Sequence, residues 1–94
     1  MPAVTRLGDQ CTGHGAFPPR PSVSASPNVF ANGIAAHRQG DAWDIHCDPS
    51  SCHAGVLEQG SATVFANGQP LGRIGDPVDC GSTVATGSPN VFAG

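Results

Sequence analysis

One phrase occurs three times in the chain. Ser26-Pro27-Asn28-Val29-Phe30-Ala31-Asn32-Gly33 returns as Ser61-Ala62-Thr63-Val64-Phe65-Ala66-Asn67-Gly68, and again as Ser88-Pro89-Asn90-Val91-Phe92-Ala93-Gly94. The first two copies run on into Ile34-Ala35-Ala36-His37-Arg38-Gln39-Gly40-Asp41 and Gln69-Pro70-Leu71-Gly72-Arg73-Ile74-Gly75-Asp76. The matching continuation for the third lies at the other end, Pro2-Ala3-Val4-Thr5-Arg6-Leu7-Gly8-Asp9. A unit split between the termini points to a closed ring of three units rather than an open array. The whole chain, 1–94, is expected to be a single domain.

Each unit reads as a β-hairpin. Asn-Gly between two apolar runs is the strongest short-range hairpin signal, because both turn positions need positive φ. Val29-Phe30-Ala31 and Val64-Phe65-Ala66 supply the outgoing strands, with Ile34–Arg38 and Gln69–Ile74 returning. In the split unit, residues 90–93 would lie beside 2–7, pairing the N- and C-terminal strands. No segment carries a capped 3.6-residue apolar period, so no long helix is expected. The fold class is mostly β, a small pseudo-threefold assembly of hairpins. Symmetry would bring Val29, Val64 and Val91, or Phe30, Phe65 and Phe92, onto the axis, and we expect them in the core. Each return strand ends in Arg-x-Gly-Asp, which reads as a turn. Arg6, Arg38 and Arg73 either pair with Asp9, Asp41 and Asp76 or remain solvated charges.

A chain of 94 residues that is rich in Gly and Pro has a meagre core, and such domains often need a staple. The residues for one lie in the segments after each Gly-Asp: 10–25, the longest at 42–60, and the shortest at 77–87. His14 and His46 each follow their Asp by the same step, and Cys80 follows Asp76 by nearly the same. Threefold symmetry would carry them to a common point, with His53 as a fourth ligand from the longest segment. Three imidazoles and a thiolate in a tetrahedron suit Zn²⁺, and a set of four protein ligands is closed and structural. Fe²⁺ is the less favoured ion. Cys11, Cys47 and Cys52 remain. They are taken by default as reduced packing thiols, with a Cys47–Cys52 disulfide, or replacement of a neighbouring His as ligand, left open. His37, on a return strand, reads as structural or surface.

A net charge of −3 with only four Lys plus Arg excludes a phosphate-neutralising surface for nucleic acid. No stretch is apolar enough to span a membrane, and no signal peptide is evident, so synthesis in the cytoplasm is expected, with any export by a route other than a cleaved signal. No nucleophile elbow or phosphate-binding loop is present, and no enzyme is expected.

The repeated Asn-Val-Phe-Ala-Asn-Gly, the return strands ending Arg-x-Gly-Asp and the terminal Gly-Ser-x-Asn-Val-Phe resemble the PAAR-repeat family over essentially the whole chain. The segments Ile34–Arg38, Gln69–Arg73 and Pro2–Arg6 stand where that family has Pro-Ala-Ala-Arg. The resemblance implies a sharp cone whose base sits on a trimeric β-helical spike, VgrG-like or from a phage. On this resemblance the spike would be the central one of a contractile injection machine, a type VI secretion system or a contractile phage tail. It implies a zinc site of three His and one Cys near the apex, falling on His14, His46, His53 and Cys80. It also implies delivery with the spike and only transient contact with a target membrane. The chain is expected to be a stand-alone, membrane-piercing tip. An adaptor carrying a secreted effector is the alternative, and a small zinc hydrolase a remote one.

Overall fold

The computed structural model describes residues 1–94. Six short strands form: β1 (Phe30–Ala31), β2 (Ile34–Ala35), β3 (Ala42–Cys47), β4 (Cys52–Val56), β5 (Phe65–Ala66) and β6 (Gln69–Pro70). They pair as three antiparallel hairpins, β1–β2, β3–β4 and β5–β6. There are no helices. Asn32 and Gly33 have φ of 57° and 74°, and Asn67 and Gly68 have 55° and 77°. Both turn positions are therefore left-handed, the condition for a two-residue turn whose twist matches its strands. The third unit is the split one. Ala3 bridges Phe92, the Val4 N–H donates to the Val91 carbonyl at 2.9 Å, and Ala93 donates to Pro2 at 3.0 Å.

Of 42 backbone hydrogen bonds only 7 lie within the strands, so the fold is held mainly by bonds outside them. The key set is cyclic. Thr5 N–H donates to the Gly72 carbonyl, Gly72 to His37, and His37 back to Thr5, at 3.0, 2.9 and 3.1 Å. These residues occupy equivalent places in the three return segments. A second belt follows, in which Val23 donates to Ala42, Glu58 to Pro77 and Ala85 to Gln10, each at 2.9 Å. The principal extents, 38 × 23 × 22 Å, give one long axis and two nearly equal short ones, as a threefold prism requires.

The core has two layers. The first joins Ala31, Ala66 and Ala93 with Val4, Ala36 and Leu71, each trio threefold-equivalent. The expected core trios are not there. Phe30, Phe65 and Phe92 are 58%, 55% and 51% exposed, and Val29, Val64 and Val91 are also exposed. For the Phe trio the reason is the two-residue period of a strand. With Ala31, Ala66 and Ala93 facing inward, the preceding Phe must face outward. The second layer holds Cys11, Trp43 and Val78, each two residues past its Asp, with Leu57 and Val84. Symmetry thus persists beyond the turn, further than the repeat is visible in sequence.

Each Arg-x-Gly-Asp is a turn in which Asp binds Arg twice over. Asp41 Oδ2 accepts from the Arg38 backbone N–H at 2.9 Å and from its Nε at 2.8 Å, and Oδ1 accepts from Nη2 at 3.0 Å. Asp9 with Arg6 and Asp76 with Arg73 repeat the arrangement. All three pairs are largely buried, so they are not solvated surface charges. Burial works against the Asp41 carboxylate, but the bonds from Arg38 outweigh it and hold the pKa below the usual range. His37 is fully buried, its ring 4.9 Å from Trp43 and its Nδ1 donating to the Ser24 carbonyl at 2.8 Å. It is structural, not surface.

The segment expected as the longest loop, 42–60, contains the longest hairpin. β3 and β4 pair Ala42 with Val56 and Trp43 with Gly55, then shift register at a bulge and pair His46 with His53 and Cys47 with Cys52. The irregular alternation across the bulge left no clean strand pattern to read.

Candidate metal centre

Beyond the second belt the three segments leave and return by equivalent bridges, Gln10 to Pro21, Ala42 to Val56 and Pro77 to Thr83. Their unequal lengths break the symmetry there. The first contributes His14, β3 and β4 contribute His46 and His53 from opposite strands, and the third contributes Cys80. The structure brings all four together, with one ligand atom from each lying within 4.8 Å of the others. A tetrahedral Zn²⁺ site has ligand atoms about 3.4 Å apart, so the cluster is of that size. His46 is buried and the other three are half-buried.

The chemistry of the donors fits a cation. His46 Nδ1 lies 2.9 Å from the Pro18 carbonyl and donates to it, which in the neutral ring leaves the lone pair on Nε2. His53 Nε2 lies 2.7 Å from that atom and 3.0 Å from His14 Nε2. One proton on His53 satisfies only one of these contacts, whereas a shared cation satisfies all three nitrogens. The surroundings of His14 also favour its neutral, metal-competent form. Desolvation, with His46 and His53 alongside, lowers its pKa.

Phe17 was not singled out by the sequence reading. Its ring centroid lies 4.2 Å from that of His53, 4.8 Å from His14 and 5.0 Å from His46. His14 and Phe17 exchange backbone hydrogen bonds at 3.0 and 2.8 Å around a tight turn. Gly13 makes this turn possible. Its φ is 72°, and a Cβ there would sit 2.4 Å from the Phe17 carbonyl oxygen. The Gly13-His14-Gly15 pattern was the available signal. Phe17 thus packs on three rings, and the Pro18 carbonyl fixes the orientation of His46.

Cys47 and Cys52 are not free packing thiols. They form a disulfide across the end of β3–β4, and both are exposed. The default expectation failed because sequence spacing does not show that the two residues face each other in a register pair. Cys11 is the buried packing thiol expected.

Three units tied by belts, with a His₃Cys cluster able to hold a metal ion at the end of unequal excursions, define a repeat-built β-prism. The family model described as PAAR motif matches residues 12–86, and the chain belongs to that family. Two curated relatives from strains of Pseudomonas aeruginosa, the NAD(P)(+) glycohydrolase toxin Tse6 and the (p)ppApp synthetase toxin Tas1, are each 35% identical over 78 residues. The match covers 77% of this chain and 18% of each relative. The double-stranded DNA deaminase toxin A of Burkholderia cenocepacia is 30% identical over 70 residues, 74% of this chain and 5% of that protein. The chain therefore spans under a fifth of the length of these relatives.

Proposed function

We propose that this chain is the metal-tied tip of a contractile injection machine, its base capping a trimeric β-helical spike. The observation that carries the reading is the exposed trio Phe30, Phe65 and Phe92, flanked by Val29, Val64 and Val91. An apolar surface repeated three times around an axis fits a partner with true threefold symmetry, and contiguous exposed apolar surface marks an interaction site. Strands β1 and β5 each have one side without a strand partner, suited to continuing the sheets of a spike. At the other end, His14, His46, His53 and Cys80 would hold one Zn²⁺, ahead of Fe²⁺, as a closed structural site. When bound, the ion supplies a rigid cross-link between three segments that share few regular strands. On this reading the chain is structural, is carried out with the spike, and meets a target envelope first. No helix is long and apolar enough to cross a membrane.

A second reading has its own support. The relatives are toxins of which the shared region is a small part. The chain would then link an effector to the spike, and one molecule could serve both roles.

The test is binding of the purified chain to its cognate spike trimer. One chain per trimer is expected, with Phe65→Ser weakening binding at unchanged metal content. No association, or binding unaffected by serine at Phe30, Phe65 and Phe92 together, would refute the capping role.

A further inference from the structure

We propose that Cys47 and Cys52 form an oxidation-made second lock on the metal centre, so that retention of the ion depends on redox state. This rests on the metal reading given above. In β3–β4 the pair Cys47–Cys52 is next to the pair His46–His53. Successive residues in a strand face opposite sides, so the imidazoles turn inward and the sulfurs outward. The burial agrees: His46 is buried and His53 half-buried, while both cysteines are exposed and open to small reagents.

The bulge gives the disulfide its consequence. Below the histidines, the register is fixed by Ala42 with Val56 and Trp43 with Gly55, but it shifts before His46. The regular ladder therefore does not by itself set how His46 faces His53. Beyond them the turn is closed by Asp48 N–H donating to the Ser51 carbonyl and by Asp48 Oδ1 accepting from the N–H groups of Ser50 and Ser51. These exposed bonds open readily. The Cys47–Cys52 bond is the only covalent link across the hairpin at this point. It holds the two imidazoles in facing register even while the ion is away, which favours recapture over loss.

The chemistry balances with a low-molecular-weight disulfide as oxidant. One cysteine thiolate attacks it and releases one thiol, leaving a mixed disulfide. The other cysteine then displaces the second thiol. Two electrons and two protons leave the cysteines and end on two small thiols, and a thiol reductant reverses the step. A chain made in a reducing compartment and driven into an oxidising one would gain the lock in transit.

The test uses the full chain loaded with Zn²⁺, measured for bound zinc, equilibrated in glutathione buffers from reduced to oxidised, and mixed with a chromogenic chelator. The oxidised protein should release zinc about tenfold more slowly than the reduced protein, the lower end of what an outer contact contributes to metal retention. The Cys47→Ser/Cys52→Ser double variant should release at the reduced rate in every buffer. One bound zinc with equal release rates in both states would overturn the lock while leaving the metal reading intact. A redox dependence that persists in the double variant would assign the effect to Cys80 or Cys11 and also overturn it. No bound zinc in either state would overturn the metal reading and the lock together.

Discussion

The two ends of the molecule are built on different principles. At the base, three equivalent units meet through equivalent residues: Ala31, Ala66 and Ala93 in one trio, Val4, Ala36 and Leu71 in the next. Cyclic backbone bonds through Thr5, His37 and Gly72 tie them together. At the far end the equivalence breaks down, since one segment offers His14, another offers both His46 and His53, and the third offers Cys80. The base distributes its contacts over many repeated positions, whereas on the proposed metal reading the apex would depend on four donors. Damage should therefore be graded at the base and abrupt at the apex.

The largest effect should come from removing a donor. Cys80→Ser should abolish stoichiometric metal binding and lower the thermal midpoint by more than about 10 °C, because a structural zinc site contributes much of a small domain's folding free energy. Hydrogen exchange should localise the loss to segments 10–21, 42–56 and 77–83 and leave the hairpins at the base protected. Uniform loss of protection would dissolve the contrast between the ends. Cys11→Ser should keep the metal and cost stability only through a buried hydroxyl in place of a packed thiol.

Next comes Asp41→Asn. The carboxylate accepts three bonds from Arg38 and one from Ser24. Its loss leaves a guanidinium without its partner and should cost about 2–3 kcal/mol in urea unfolding, with metal content unchanged. A cost below about 0.5 kcal/mol would return this pair to the class of solvated surface charges.

Much of the base could be read directly. Asn-Gly turns and Arg-x-Gly-Asp are local signals whose geometry follows from single residues. The split unit identified a closed ring without any contact being known. The clustering of His14, His46 and Cys80 was legible for the same reason, since nearly matching offsets under threefold symmetry imply a meeting point, while His53 came from the longest segment without an offset partner. What could not be read was facing. Whether Phe30 or Ala31 turns inward depends on how closely three hairpins approach, and a three-residue run has no period long enough to show it. Phe17 and the Cys47–Cys52 bond depend on turns and a bulge in segments with no counterpart in the other units.

A smaller effect separates the belt from both ends. Burial lowers the pKa of His37, outweighing the Ser24 carbonyl and Asp41. Below about pH 6.5 the unfolded chain takes up a proton that folded His37 resists, so stability falls on acidification and is complete above that value. The slope from this group is at most about 1.4 kcal/mol per pH unit. The difference between wild-type and His37→Gln urea curves measured from pH 7 to 5 isolates it from His14, His46 and His53. No pH dependence in that difference would contradict the burial argument. Smallest of all should be Phe65→Ser, which touches an exposed ring and should change stability by less than about 0.5 kcal/mol. A large loss would mean that the phenylalanines support the fold rather than a partner.

The most direct test of the two-ended account is X-ray absorption at the metal edge of the chain purified with its native ion. We expect one zinc per chain with three nitrogens at about 2.0 Å and one sulfur at about 2.3 Å. Two or more sulfurs in the shell, or a chain that folds fully with no metal, would contradict it.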